Sequence, residues 1–251
     1  MIKYKLTTII LISLGVILMF IFFIRKRIDG FSNEEEDVEN HSVAGKEMID
    51  IIFNKYNLKP SGVIHIGAHA CQEREVYLKH GLTDERIIWI EGNPKLVENI
   101  KNDIPSARIY QGLIAETEKD VDFIITNNDG QSSSFLELKD HSKEHPDVVE
   151  SSRNKMKTTT LPKLLNENNI NYEDFDLLIM DIQCAEYLAL QGMKDILNNF
   201  KGIFMEVSTK ELYEGCHLLD EIKEFLKPYG FILKDLSINA HGWGDGYFLR
   251  N

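Results

Sequence analysis

The chain has 251 residues, of which 43% are apolar, and carries a net charge of −12 at pH 7. Apart from an apolar N-terminal segment, this length suits one α/β domain with a full-sized core rather than two domains. The acidic balance argues against a surface that binds the phosphates of nucleic acids, because such a surface needs clustered cations. We therefore expect no nucleic-acid partner.

The first predicted element is an uncharged apolar run of nineteen residues, from Leu6 to Ile24. A helix of this length crosses the hydrocarbon core of a bilayer. A basic cluster, Arg25-Lys26-Arg27, follows it where a signal peptide would have a small-residue cleavage site. We therefore expect residues 1–27 to form an uncleaved transmembrane helix. Residues 28–45 are polar and acidic, which predicts a solvated linker before a folded domain at 46–251.

The charges that flank the apolar run predict its orientation. Three cations follow the run and two, Lys3 and Lys5, precede it. Cytoplasmic flanks carry the excess of lysine and arginine. We therefore expect a single-pass membrane protein whose folded domain lies in the cytosol.

Strand and helix patterns alternate after the linker. Apolar residues recur at helical spacing from Met48 to Tyr56, and we expect this helix to cover the sheet edge or a substrate cleft. Short apolar runs predict strands at 62–67, 86–91, 107–115, 120–125, 175–182, 202–207, 230–238 and 246–250. Helical spacing predicts helices at 72–80, 94–101, 161–168, 186–200 and 216–227, the second with Asn93 as N-cap. This order predicts an α/β fold with a Rossmann-like, doubly wound, mostly parallel sheet and a C-terminal antiparallel hairpin.

The three cysteines, Cys71, Cys184 and Cys216, show neither a CxxC pair nor a zinc-ligand spacing. We therefore expect three free thiols in a reducing compartment. No other ligand spacing suggests a metal site.

Polar residues follow the predicted strands, where ligands bind in open α/β sheets. Gly67-Ala68-His69 follows one strand, and Glu91, Asp181 and Glu206 end three others. Glu91 is placed to accept hydrogen bonds from two ribose hydroxyls. The GxGxxG pattern of pyrophosphate binding is missing, which favours a nucleoside without phosphates, most commonly S-adenosylmethionine.

Simpler explanations remain for some of these residues. A tight turn alone accounts equally well for Gly67, and His69 could cap the following helix. Glu186 could serve the dipole of its own helix. An unpaired carboxylate would be costly at the end of an apolar strand, so Asp181 is the stronger candidate for a functional group.

Seven segments provide a further signal: VIHIGAH, WIEGNP, NNDGQSSSF, TTTL, LLIMDIQCAE, EVSTKELYEGC and GFILKDLSINAHGWGDGYFLR. Together, in this order, they resemble FkbM-type methyltransferases from about Gly62 to Arg250. The resemblance implies a class I, S-adenosylmethionine-dependent O-methyltransferase, often acting on sugar or polyketide hydroxyls. The chain departs from the family pattern at His65, where the family usually has an acid, and at Cys184, where it usually has a glycine.

The resemblance also implies roles for individual residues. It places Gly67, Ala68 and His69 in the cofactor loop and Glu91 on the ribose, and we add Asn93 to this cofactor-binding set. Asp181 and Glu186 would stand where methyl donor and acceptor meet, one of them as general base or as the group that positions the hydroxyl. The remaining candidates would bind a small-molecule or glycan acceptor: Gln131, Ser132, Ser133, His241, Trp243 and Asp245. A solvated turn explains the serine run equally well.

Two other functions remain open from the sequence. A membrane-anchored glycosyltransferase has a similar layout, and Asp174-Phe175-Asp176 is a formal DxD motif. That motif enters its strand at the amino edge of the sheet, opposite the expected ligand side. The other alternative is a non-catalytic, membrane-tethered domain that keeps the methyltransferase fold.

Overall fold

A computed structural model describes residues 39–40 and 43–251 of the chain. The expected membrane anchor, residues 1–27, lies outside the described residues, as does most of the expected linker. Among the described residues, no helix combines the length and apolar character needed to cross a membrane.

The described chain alternates strands and helices. The strands are β1 (Glu39–Asn40), β2 (Val63–Ile66), β3 (Ile87–Glu91), β4 (Arg108–Gln111), β5 (Leu113–Ile114), β6 (Asp120–Thr126), β7 (Glu150–Thr159), β8 (Leu177–Met180), β9 (Gly202–Ser208), β10 (Phe231–Ile238) and β11 (Trp243–Arg250). The α-helices are α1 (Gly45–Lys55), α2 (Arg74–Lys79), α3 (Pro94–Asp103), α4 (His141–Glu144), α5 (Leu161–Glu167), α6 (Glu186–Gly192) and α7 (Leu219–Leu226). Short 3-10 turns occupy Asp84–Arg86, Tyr172–Asp174, Leu197–Asn199 and Lys227–Tyr229.

Eight strands form the main sheet, in the order β1-β10-β11-β9-β8-β2-β3-β4. The strands β4, β3, β2, β8 and β9 run parallel to one another. β11 lies antiparallel between β9 and β10. The predicted mostly parallel sheet and its closing antiparallel hairpin are therefore confirmed.

The two largest apolar clusters of the core lie on opposite faces of the main sheet. Every residue of β2, β3, β8 and β9 is buried, as expected for parallel strands covered on both faces. One cluster includes Leu164, Leu190 and Leu226 from α5, α6 and α7. The other includes Phe53 and Tyr77 from α1 and α2, together with Val97 of α3. The domain is thus a three-layer α/β/α structure.

Several elements differ from the prediction. The strand predicted at 107–115 is split at Gly112, where an added Cβ would lie 2.5 Å from Leu164. Its second half, β5, joins β7 and β6 in a separate three-stranded sheet. The helix predicted at 186–200 ends at Gly192. No apolar pattern predicted β7, since nearly all of its residues are polar and most are exposed.

Candidate functional site

A cleft with a volume of about 330 Å³ opens at the carboxyl ends of the central parallel strands. This volume is at the lower end of the range for small-molecule sites. The lining includes Gly67 after β2, Glu91 of β3, Asp181 after β8 and Glu206 of β9. The loop 128–135 and residues of the 141–148 segment form its outer wall. The structure therefore brings the predicted strand-end residues together in one cleft.

Gly67 forms the floor of this cleft in a conformation that favours glycine. Its φ is +90°, and an added Cβ would lie 1.8 Å from the carbonyl oxygen of Asp181. The amide of Gly67 donates a hydrogen bond to the carbonyl of Ile90 at 2.8 Å. The glycine therefore lets the turn after β2 pass directly between β3 and β8.

Glu91 joins the turns that follow β2 and β3. Its Oε1 accepts from the backbone amide of Asn93 at 2.7 Å, and its Oε2 accepts from the amide of His69 at 2.8 Å. A carboxylate oxygen can accept a second hydrogen bond, so both oxygens retain capacity for ligand hydroxyls. Burial raises the pKa of Glu91, which these amide donors partly oppose.

Asp181 lies at the end of β8 and is accessible from the cleft. The Nε2 of Gln183 donates to Asp181 Oδ1 at 2.9 Å and to Glu206 Oε2 at 3.0 Å. The hydroxyl of Tyr213 lies 2.9 Å from Gln183 Oε1 and 3.0 Å from the carbonyl oxygen of Ser132, either of which can accept its hydrogen. One glutamine thus connects two carboxylates and a buried tyrosine.

The cleft is strongly acidic. Glu73 and Asp245 also line it, and burial raises the pKa of each carboxyl group to about 7. Burial, reinforced by the charge of Asp181, raises the pKa of Glu206 well above its usual range. Within residues 43–251, no lysine or arginine lines the cleft. The site therefore favours a ligand that carries positive charge.

Comparison with known proteins identifies the family. A sequence model described as "Methyltransferase FkbM domain" matches residues 65–233, which span all of the strand-end residues above. The chain belongs to the FkbM methyltransferase family. The predicted resemblance is therefore confirmed, and the family, whose methyl donor is S-adenosylmethionine, accounts for the class I arrangement of the sheet.

Individual relatives are more distant. The 2-O-methyltransferase NoeI of Sinorhizobium fredii is 29% identical over 131 residues, which cover 50% of this chain and 53% of NoeI. The chain thus spans about half the length of this curated relative. A methyltransferase of Aquifex aeolicus, described as SAM-dependent, aligns over 90% of this chain and 98% of its own at 10% identity and a TM-score of 0.43. Aeropyrum pernix fibrillarin, solved with bound S-adenosyl-L-methionine, aligns over 81% and 74% at 11% identity and a TM-score of 0.40.

S-adenosylmethionine fits the residues of this FkbM cleft. Its sulfonium cation suits an acidic site without lysine or arginine among the described lining residues. The turn at Gly67 gives a ligand access to backbone between β2 and β3, and Glu91 offers carboxylate oxygens at the end of β3. Gly67, His69 and Glu91 are thus the predicted cofactor residues that line the cleft. Ala68 is buried beneath the loop, and Asn93 caps α3 by accepting from the amide of Lys95 at 3.1 Å.

His65, the first departure from the family pattern, is a buried residue of β2. Its ring packs 4.8 Å from that of Trp89, and Nδ1 lies 2.8 Å from the hydroxyl of Tyr77. Burial lowers the pKa of His65 to about 3, so the imidazole is neutral. His65 is also among the residues that line the cleft, and its neutral ring adds no positive charge there.

Glu186 lies behind the loop that carries Asp181, and the described lining of the cleft does not include it. Its Oε1 accepts from the backbone amide of Ile182 at 2.7 Å. Burial raises the pKa of Glu186 to about 8, and the nearby charge of Asp181 adds to this. The structure therefore places the two predicted catalytic carboxylates on opposite sides of one loop.

The predicted acceptor residues divide between the cleft and the surface. Five of them line the cleft: Gln131, Ser132, Ser133, Trp243 and Asp245. His241 instead lies at the surface, where its Nδ1 is 2.8 Å from the carboxylate of Glu144. Asp245 Oδ2 accepts from the amide of Gly45, and Gly45 and Ile49 of α1 line the cleft, which is one of the two positions expected for this helix.

The expectation of three free thiols is wrong. Cys184 and Cys216 form a disulfide across 32 residues of sequence, and Cys71 is free and buried. Their contact depends on how the segment after β9 folds back over the β8–α6 loop, which no local pattern reveals. Cys184 has φ +70° and is not among the residues that line the cleft. This second departure from the family pattern therefore does not narrow the cleft.

Sequence reasoning missed several residues of the site. Gln183 belongs to the segment LLIMDIQCAE, as Asp181 does, but nothing in the sequence indicated a role for its side chain. Tyr213, Glu73, His141 and His145 reach the cleft from loops or helix ends. Glu206 was recognised as a strand-end acid, but the sequence analysis gave it no catalytic or binding role. Among the described residues, no group of three or more histidine, cysteine, aspartate and glutamate side chains is arranged to hold a metal ion.

Proposed function

We propose that this protein transfers a methyl group from S-adenosylmethionine to a hydroxyl group of a saccharide or a related small molecule. The observation that carries the proposal is the position of Asp181, a carboxylate that faces the cleft directly beside the Gly67 turn. A base at this position is next to the cofactor loop and open to an acceptor. The relative NoeI is a 2-O-methyltransferase, which supports oxygen as the methylated atom.

The reaction requires alignment and removal of one proton. When bound, S-adenosylmethionine supplies an electrophilic methyl carbon on its sulfonium. Glu91 would hold the ribose hydroxyls of the cofactor through its remaining lone pairs. Asp181 would accept the proton of the acceptor hydroxyl as the oxygen takes the methyl group, so that the carbon–oxygen bond forms while the carbon–sulfur bond breaks and S-adenosylhomocysteine is left. Glu186 acts through the loop, because it holds the amide of Ile182 next to Asp181.

The acceptor side has groups that suit a polyhydroxylated molecule. Ser132 Oγ accepts from the side-chain amide of Asn128 at 3.0 Å, which leaves its own hydrogen for an acceptor oxygen. Trp243 is half-buried at the cleft wall and offers an aromatic face to a sugar ring. Asp245 Oδ2 accepts a hydrogen bond from the amide of Gly45, at the start of α1. These contacts support a saccharide or a molecule with similar hydroxyl groups.

The glycosyltransferase alternative depends on the DxD motif, and the motif lies away from the cleft. Asp176 accepts from the amide of Ser61 at 2.8 Å and forms an ion pair with Lys201 at 2.7 Å. Both contacts are at the amino end of β8. The motif therefore has a structural role at the edge opposite the candidate site.

Titration of the full chain with S-adenosylhomocysteine and with nucleotide sugars separates the three functions. Micromolar binding of S-adenosylhomocysteine alone supports the methyltransferase. Binding of a nucleotide sugar alone would support the glycosyltransferase, and binding of neither would support a non-catalytic domain.

We also propose that residues 1–27 anchor the protein in a membrane with the catalytic domain in the cytosol. The support is the nineteen-residue apolar run and its flanking cations. The Cys184–Cys216 disulfide gives the opposite expectation for the compartment, since disulfides persist mainly in oxidising surroundings. Protease treatment of sealed membrane vesicles tests the orientation: digestion from the cytosolic face supports the proposal, and protection from that face contradicts it.

A further inference from the structure

The side chain of Gln183 satisfies all of its polar groups within the cleft wall. Its amide nitrogen has two hydrogens, and one is directed to Asp181 and the other to Glu206, at 2.9 and 3.0 Å. Its oxygen lies 2.9 Å from the hydroxyl of Tyr213. The reverse orientation would put the amide oxygen against both carboxylates, so these contacts select one orientation of the amide.

The backbone around Gln183 is held as firmly as its side chain. Gln183 has φ +56°, in the left-handed region that costs a non-glycine residue conformational energy. Its carbonyl accepts from Ser134 Oγ at 3.0 Å, and the next residue, Cys184, is joined by the disulfide to Cys216. Cys216 follows Tyr213 by three residues, so the disulfide also ties down the segment that presents the tyrosine. The side-chain hydrogen bonds, the contact with Ser134 and the adjacent disulfide therefore hold this strained residue in place.

The two carboxylates that share this amide lack a neighbouring lysine or arginine among the described cleft residues. Both reach the same nitrogen, so they are close enough for mutual repulsion when both are ionised. The other titratable groups close enough to influence the pair come from the surrounding elements: His69, Glu73, Glu186, Tyr213 and Asp245. Because most of these groups are acids, one proton retained by the pair relieves the repulsion.

We propose that Gln183 is a positioning residue: its amide holds Asp181 and Glu206 as one hydrogen-bonded pair in which Glu206 keeps the proton and Asp181 remains ionised. This inference deepens the proposed function, because it explains how a carboxylate in an acidic cleft stays ready to accept a proton from the acceptor. The assignment follows from burial. Burial raises the pKa of both carboxyl groups, but it raises that of Glu206 well above its usual range, and the charge of Asp181 adds to this. Glu206 is only 8% exposed, whereas the Asp181 residue is exposed at the cleft, so Glu206 is the carboxyl group that better retains the proton.

The test follows the two carboxyl groups directly. The full chain is labelled with ¹³C at the aspartate and glutamate carboxyl carbons, and their NMR shifts are measured from pH 4 to pH 9. Variants D181N and E206Q assign the signals. We expect Asp181 to titrate at lower pH than Glu206, which stays protonated through neutral pH. The reverse order would overturn the proposal.

Variants of Gln183 then test its role. Loss of the amide donors in Gln183→Met should move the titration midpoint of Asp181 upward by about one pH unit. Tyr213→Phe should move it in the same direction by less, and Gln111→Met, outside the cleft on β4, should leave it unchanged. A lower melting temperature with unchanged titrations would show that Gln183 only holds the loop, and would overturn the proposal.

Should Gln183→Met fail to fold, the near-isosteric Gln183→Glu decides the question. The added carboxylate replaces a donor with a third acid, so the Asp181 midpoint must rise; an unchanged midpoint contradicts the proposal. These titrations need neither S-adenosylmethionine nor an acceptor. They therefore decide the role of Gln183 separately from whether the protein transfers methyl groups.

Discussion

The turn at Gly67 passes so close to Asp181 that an added Cβ would lie 1.8 Å from the Asp181 carbonyl oxygen. This contact brings the cofactor loop beside the proposed base. We expect Gly67→Ala to lower the free energy of unfolding by at least about 3 kcal/mol, since the overlap adds to the cost of the left-handed backbone. Chemical denaturation of the full chain measures the change.

Gly81 provides a matched control. It has the same φ of +90°, but an added Cβ would meet no atom within 4 Å. Gly81→Ala should therefore cost only about 1 kcal/mol. Equal losses in the two variants would show that the close approach at Asp181 does not constrain this turn.

Substitution of Glu91 tests the cofactor half of the cleft. Glu91→Gln replaces one acceptor oxygen with a donor, so it disturbs the clamp on the amides of Asn93 and His69 as well as the proposed ribose contact. We expect the Kd for S-adenosylhomocysteine to rise by about 10- to 100-fold, equivalent to about 1.4–2.7 kcal/mol. Isothermal titration calorimetry measures it. The exposed Glu98 of α3 supplies the control Glu98→Gln, and similar affinities for both variants would argue against a ribose site at Glu91.

Glu186 predicts how stability depends on pH. Its folded-state pKa, about 8, is above the usual value of 4.5, so the folded chain binds this proton more tightly than the unfolded chain. The stability that this group contributes is present below about pH 4.5 and is lost as the pH rises towards 8. Glu186→Gln can keep the hydrogen bond to Ile182 without the buried charge. The free energy of unfolding of this variant, relative to that of the wild-type chain, should therefore be higher at pH 8 than at pH 5 by about 1–3 kcal/mol.

Urea denaturation of both chains at the two pH values checks this expectation. The difference between the chains isolates Glu186 from other titrating groups. A difference that is the same at pH 5 and pH 8 would mean that Glu186 does not carry the raised pKa.

The disulfide predicts a response to reductant. A cross-link over a loop of 32 residues stabilises a fold by about 3–4 kcal/mol, because it lowers the conformational entropy of the unfolded chain. Dithiothreitol should therefore lower the melting temperature of the wild-type chain and leave that of a Cys184→Ser, Cys216→Ser double variant unchanged. Alkylation of the unreduced, denatured chain should label Cys71 alone. Labelling of all three cysteines would show that the bond is not formed.

The central strands and the strand-end residues were predictable from the sequence because both depend on local pattern. The segments around β2, β3, β8 and β9 are short apolar runs, and a parallel strand buried on both faces has that composition. The residues that follow such strands meet at one edge of the sheet. This rule alone brought Gly67, Glu91 and Asp181 together.

The remaining features depend on contacts between distant segments. Strand β7 is polar and exposed, so its pairing with β6 left no apolar signal. Gln183 acquires its role from Glu206 and Tyr213, which belong to later segments of the chain. For Glu186, helical spacing correctly predicted a helix start, but the side on which its carboxylate lies depends on the turn at Ile182. The disulfide was missed for the same reason.

Transfer of a radiolabelled methyl group from S-adenosylmethionine to a panel of saccharides tests the central claim most directly. The full chain and its Asp181→Asn variant are compared, with S-adenosylhomocysteine binding measured in parallel. We expect label to enter an acceptor hydroxyl with the wild-type chain, and the variant to be slower by about 100-fold or more while its Kd changes less than about 3-fold. Equal rates for the two chains would contradict the role of Asp181, and a chain that neither binds S-adenosylhomocysteine nor transfers label would contradict the proposed function.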